Sequence, residues 1–354
     1  MAINSSNPAW NYENVIYYSE LLPRVSKLSL VVSPLESEPS HLSRLGSSKL
    51  FVKLSASDSS STIELPAKVS PDTPISLKQL AAFSEGSLSL RLTAARQERE
   101  THTVPFPANE LSQARQLHCR SCDEPLLRNE VKFLNMPSEN WYEMMDYWHC
   151  HKPDHDHNAS NAISKDMLKP RQGVSLVGVS YIDVLDGDLV ELSEKNHSPP
   201  LRCAACTKPI GVFDAVDKSI AKIHKWNISL TLDGEKKVHD SEIYFAEILL
   251  EIGDIHANYH FAVSRASAKD DVVFYLWVFN NDLTYSSSFQ PHPQRAMKIF
   301  YSTSPPTTQV VTESIDIPDD LLEETMCVLN TRNRQLPESL RKFGEWDVSL
   351  FHRL

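Results

Sequence analysis

The sequence predicts a strand-rich α+β protein, and three observations carry that prediction. Apolar residues alternate with polar ones through the first hundred positions, the period of half-buried sheet. Two Cys-x-x-Cys pairs, Cys119 with Cys122 and Cys203 with Cys206, bracket a middle region that has few long periodic segments. Beyond it, strand and helix periods mix. The expected architecture is an N-terminal antiparallel β domain (residues 1–116), a zinc-knuckle middle with a His-rich insertion (117–215) and a mixed α+β C-terminal domain (216–354).

In the first domain Leu28 and Leu30, Val52 and Leu54, Ile63 and Leu65, and Leu88, Leu90 and Leu92 each alternate with polar neighbours. A sandwich or open barrel accommodates such strands. The Ser- and Pro-rich stretches 33–48 and 70–73 read as surface loops. In the middle region a polar tract from His149 to Pro170 precedes one expected strand, Val174 to Val184.

In the last part Trp226, Ile228, Leu230 and Leu232 alternate into Asp233-Gly234, a hairpin-type turn. Asp240 or Ser241 is placed to cap a helix on which Phe245, Ile248, Leu249 and Ile252 share a face, with Gly253 placed to end it. The run from Val272 to Phe279 is apolar without alternation and predicts a strand buried on both faces. A helix from Asp319 to Asn330 and a segment with Trp346 and Phe351 close the chain. No internal repeat is expected.

Bulk properties exclude several functions. With 35 basic and 46 acidic residues the net charge is −11, and no Lys/Arg cluster is interleaved with aromatics, so no direct nucleic-acid partner is expected. No run of eighteen apolar residues offers a membrane span, so no membrane partner is expected. The first eighteen residues lack the basic start and apolar run of a secretory signal, which predicts a cytoplasmic and nuclear protein. In such a reducing compartment paired cysteines read as thiolate ligands rather than disulfides.

Each Cys-x-x-Cys supplies two thiolates from one tight turn, and two turns meeting form the tetrahedral sulfur cage that suits zinc. Cys119, Cys122, Cys203 and Cys206 are therefore the expected ligands of one structural Zn2+. A closed four-sulfur site has no open position for water, which argues against a zinc hydrolase. The competing readings are cysteines paired by chance, and a mixed or second site that draws on His149, Cys150, His151 or His155.

Between the pairs lie the box Pro137-Ser138-Glu139-Asn140-Trp141 and the step Trp148-His149-Cys150-His151. Together with the flanking Cys-x-x-Cys pairs, Leu336-Pro337 and Trp346, these residues resemble the HECT-like ubiquitin-conjugating-enzyme-binding family. Members of that family are described as ubiquitin ligases, and a fungal member as important for polyadenylation. The resemblance implies two partners, a ubiquitin-conjugating enzyme and the endonuclease of mRNA 3′-end processing, and raises ubiquitin transfer as an activity. Two cysteines are candidates for such transfer. Cys150 sits between two imidazoles able to raise its thiolate fraction. Cys327 lies off the apolar stripe Leu322, Met326, Leu329 of the last helix and is expected to reach solvent. The alternative is a non-catalytic adaptor or assembly chaperone with no ubiquitin transfer.

Overall fold

The structure, a computed structural model, describes residues 15–35, 37–54, 60–73, 81–84, 86–96, 103–114, 116–136, 169–190, 200–307 and 310–354. The chain divides into two compact units: Met1–His102 with Tyr259–Leu354, and Thr103–Asn258. The protein is strand-rich α+β, as the alternation predicts.

The first unit begins with β1 (Ile16–Leu22), β2 (Lys27–Ser33), β3 (Pro39–Leu45), β4 (Lys49–Leu54), β5 (Ser60–Glu64), β6 (Ala81–Ser84) and β7 (Ser87–Thr93). The expected alternation is visible in burial: Leu28, Leu30 and Val32 of β2 and Leu88, Leu90 and Leu92 of β7 are each at most 1% exposed. They share one core with Leu50, Val52 and Ile63 of the separate three-stranded sheet β3-β4-β5. Residues 33–48 are not simply a loop, because β3 lies among them. Apart from Pro39 at its start, its one buried apolar side chain is Leu42, so little apolar patterning marks it.

The second unit follows with α1 (Ala108–Ala114), β8 (His118–Cys119), β9 (Lys132–Asn135), β10 (Val174–Val177), β11 (Tyr181–Leu185), β12 (Leu201–Arg202), β13 (Pro209–Phe213), β14 (Ile220–His224), β15 (Ile228–Leu232), β16 (Glu235–Lys237) and α2 (Ser241–His256). These form a six-stranded sheet β12-β13-β14-β11-β10-β9 and a three-stranded sheet β16-β15-β8. The single strand expected over 174–184 is a hairpin, β10 and β11, turned at Gly178 to Ser180. Asp233 (φ 52°) and Gly234 (φ 82°) both adopt positive φ between β15 and β16, as a type I′ hairpin requires. The helix α2 runs three residues past Gly253. That glycine is buried, and the stop falls at Ala257 (φ 49°), whose N–H donates to the Gly253 carbonyl.

The chain then returns to the first unit with β17 (His260–Arg265), β18 (Ala268–Ser287), β19 (Gln294–Ser302), β20 (Glu313–Ile317), α3 (Asp319–Gln335), β21 (Lys342–Phe343) and β22 (Trp346–His352). The long strand β18 pairs with β17, with β19 and, through Thr284–Ser287, with β1, which joins both chain segments in one ten-stranded sheet. The expectation that Val272–Phe279 is buried on both faces fails. Phe274, Leu276 and Val278 are buried, but Val272 is 37% and Phe279 50% exposed. Phe279 stacks on the buried Phe300 at 4.7 Å, and Phe343, 54% exposed, stacks on the same ring at 4.9 Å.

Several charged side chains are buried in these units, Glu20 and Lys225 among them. Glu20 of β1 accepts from Tyr18 Oη (2.8 Å) and from Lys298 Nζ (2.5 Å) in the first. In the second, Lys225 is 1% exposed and its Nζ donates to the Pro105 carbonyl at 3.0 Å. Burial lowers the Lys225 pKa to about 7, against the pull of Glu110, Glu251 and Glu247. Among the described residues, no helix is long and apolar enough to cross a membrane.

Candidate metal centre

Each cysteine pair is held by a backbone loop of the same geometry. In the first, the Cys119 N–H donates to the Glu124 carbonyl (2.9 Å) and the Asp123 N–H to the Cys119 carbonyl (2.9 Å). In the second, Cys203 donates to Lys208 (3.0 Å) and Thr207 to Cys203 (2.9 Å). The residue after each second cysteine is left-handed, Asp123 at φ 60° and Thr207 at φ 59°, so each turn closes on itself. The match extends into sequence. Cys119-Arg120-Ser121-Cys122-Asp123-Glu124-Pro125-Leu126 and Cys203-Ala204-Ala205-Cys206-Thr207-Lys208-Pro209-Ile210 share Cys-x-x-Cys-x-x-Pro-aliphatic, and Leu126 and Ile210 are both buried. The expectation of no internal repeat overlooked this eight-residue unit, whose proline and following aliphatic residue were its legible signal.

Sheets aim the two turns at each other. The first springs from β8, whose Cys119 lies opposite Ile228 of β15. The second connects β12 to β13, which is held tightly on β14: a Cβ on Gly211 would lie 2.1 Å from the Lys222 carbonyl oxygen. Only glycine permits that approach. Arg120 ties the first turn down further, its guanidinium donating to the carbonyls of Trp226 and His239, each at 3.0 Å. Its own N–H donates to the Asn227 carbonyl at 3.0 Å. Nothing in the sequence marked Arg120 for this task.

The four Sγ atoms all lie within 4.8 Å of one another, and Cys119–Cys206 and Cys122–Cys203 are each 3.6 Å apart. A tetrahedron with sulfurs ~2.3 Å from a central zinc has edges of about 3.8 Å, so the cage fits a metal ion. Cys119 and Cys203 are buried, Cys206 is half-buried and Cys122 is exposed. Burial pushes the Cys119 thiol up to about 12, whereas the Lys208 N–H holds Cys206 below its ordinary value. A metal entering the cage displaces thiol protons, so its affinity rises with pH.

His149, Cys150, His151 and His155, with Trp148 and the box Pro137–Trp141, lie outside the described residues. Cys327 is exposed on α3, away from the buried Leu321, Leu322, Thr325 and Leu329. It is remote in sequence from the cage and takes no part in it.

A protein of Saccharomyces cerevisiae, named as uncharacterized, is 28% identical over 241 residues, 66% of this chain and 67% of its own. An uncharacterized protein of Schizosaccharomyces pombe is 26% identical over 252 residues, 67% of this chain and 73% of its own. A mouse protein named as an E3 ubiquitin-protein ligase is 23% identical over 333 residues, 82% of this chain and 86% of its own. No solved structure matches. A family model described as HECT-like ubiquitin-conjugating enzyme (E2)-binding matches residues 20–348. Because that match takes in both cysteine turns, the sheets that carry them and α3, the chain belongs to the HECT-like ubiquitin-conjugating enzyme (E2)-binding family.

Proposed function

We propose that the chain is a zinc-stabilised, ubiquitin-ligase-like binding protein that engages a ubiquitin-conjugating enzyme and a client, the endonuclease of mRNA 3′-end processing. The observation that carries the first partner is the family match over residues 20–348. Zinc rests on the donor set, four cysteine sulfurs that all lie within 4.8 Å of one another, a ligand set that suits zinc. The client and a nuclear and cytoplasmic location rest on the resemblance to the fungal family member.

In this reading the cage contributes rigidity. It ties Cys122 to Cys203 across 81 positions and so fixes β8 and β12 to one point, giving partners a preorganised surface. Four of the five described cysteines are in the cage, so ubiquitin transfer would need Cys327, which is exposed, or Cys150, which lies outside the described residues. The test is incubation of the purified chain with a ubiquitin-charged conjugating enzyme, read by gel filtration and by non-reducing electrophoresis. A complex without a reductant-sensitive ubiquitin adduct is expected. Failure to form any complex refutes the partner; an adduct that disappears with Cys150→Ser or Cys327→Ser replaces the binding reading with ubiquitin transfer.

A further inference from the structure

We propose that the cage is also a redox-modification site, which a peroxide converts into two disulfides that cross between the turns, Cys119 to Cys206 and Cys122 to Cys203, as the metal leaves. The inference rests on the reading of the four sulfurs as a metal cage.

Two observations select this chemistry. Both 3.6 Å sulfur contacts run from one turn to the other. Each also joins a more accessible sulfur to a buried one: exposed Cys122 to Cys203, and half-buried Cys206 to Cys119. An oxidant reaches the outer sulfur and finds its resolving thiol already beside it, the arrangement of a reversible redox cysteine pair. Each pair has only to close from 3.6 Å to a bond of ~2.05 Å.

The steps balance. A peroxide delivers oxygen to the Cys122 sulfur, giving a sulfenic acid and, with one proton, water. The Cys203 thiolate attacks that sulfur, and the hydroxide leaves and takes a proton as a second water. Cys206 and Cys119 repeat the sequence. Four thiolates are oxidised to two disulfides, two peroxides are reduced to four waters, four protons are consumed and one divalent metal ion is released. Crossing bonds keep the two turns tied after the metal has gone, whereas bonds within each turn would cut β8 loose from β12. The oxidised protein is thus expected to stay folded while losing its metal, and a dithiol reductant with added zinc restores it.

The experiment uses the full chain carrying Cys150→Ser and Cys327→Ser, so that only cage thiols react. Metal content is measured first, hydrogen peroxide is then titrated, released zinc is read with a chromophoric chelator, and disulfides are mapped by non-reducing mass spectrometry. Trypsin cuts after Arg120 and so separates Cys119 from Cys122. The expected result is one zinc released per two disulfides, with both crossing linkages found and both reversed by dithiothreitol. In a Cys206→Ser variant, Cys122–Cys203 should still form while Cys119 stays open to alkylation. Bonds within a turn, sulfinic acids without disulfides, or metal release with all thiols free would overturn the inference. A chain that carries no metal when purified overturns the cage reading itself.

Discussion

Removing the metal from the four-sulfur cage should lower the stability of the unit Thr103–Asn258 by several kcal/mol. A shared metal would join Cys122 to Cys203, 81 positions apart. Treated as a closed loop of that length, its loss restores chain entropy worth about 4.5 kcal/mol at 25 °C. That is a large part of the ~5–15 kcal/mol that holds an ordinary domain together. With an unfolding entropy of ~2.1 cal/mol/K per residue, a unit of this size should melt about 14 °C lower. The assay is calorimetry of zinc-loaded, chelated and zinc-restored protein. Single substitutions sharpen it. If the sulfurs merely pack together, Cys119→Ser at a buried position should cost stability and Cys122→Ser at an exposed one should not. A shared metal makes the two nearly equal. An unchanged melt after proven metal removal, or a harmless Cys122→Ser beside a damaging Cys119→Ser, refutes the cage.

Other perturbations follow from the packing. Gly211→Ala forces a Cβ against the Lys222 carbonyl 2.1 Å away and should cost about 1–3 kcal/mol in urea denaturation; a change below ~0.5 kcal/mol would show that β13 has room to move. Lys225 is uncharged in the folded state above about 7 but charged in the unfolded chain up to about 10.5, so the unfolded state binds the extra proton and native stability rises with pH across that window. Lys225→Met should therefore stabilise by roughly 1–4 kcal/mol near pH 6, with the gain shrinking toward pH 10. A gain that does not vary with pH would contradict the buried amine. Lys298→Met leaves Glu20 without its cation, with only the Tyr18 hydroxyl still donating to it, and should cost about 3 kcal/mol, with most of it recovered on adding Glu20→Gln; failure of that rescue in a double-mutant cycle would mean the pair is not coupled.

The elements legible in the sequence were those whose own pattern decides them. Period-two runs such as Leu88 to Leu92 located strands, Asp233-Gly234 located a hairpin, and the spacing of four cysteines located the cage. What a pattern leaves out is the partner across the sheet. Pairing of β1 with the far end of β18 joins residues more than 260 positions apart, and no local signal reports it. Strand β3 was missed because a mostly polar strand on a small sheet shows one buried leucine and no alternation. Gly253 misled in the opposite sense: glycine ends helices when its freedom is used, and here tertiary burial keeps it helical. Burial on one face only was read as burial on two along Val272–Phe279, because apolar residues on the open face look the same in sequence as buried ones. Lys225 gave no sign, since a lysine fully enclosed runs against every compositional rule.

The nesting of one unit inside the other orders events during synthesis. A ribosome delivers β1 to β7 first, but β1 must wait for Thr284–Ser287 of β18 before its outer edge is paired. The unit Thr103–Asn258 emerges complete in the interval, with both cysteine turns available to meet, while the first unit still presents a bare strand edge. Unpaired edges of that kind invite pairing with other nascent chains. The vulnerable species is thus a half-made protein whose inserted unit is finished and whose outer unit is not, and slow translation between residues 103 and 283 lengthens its exposure.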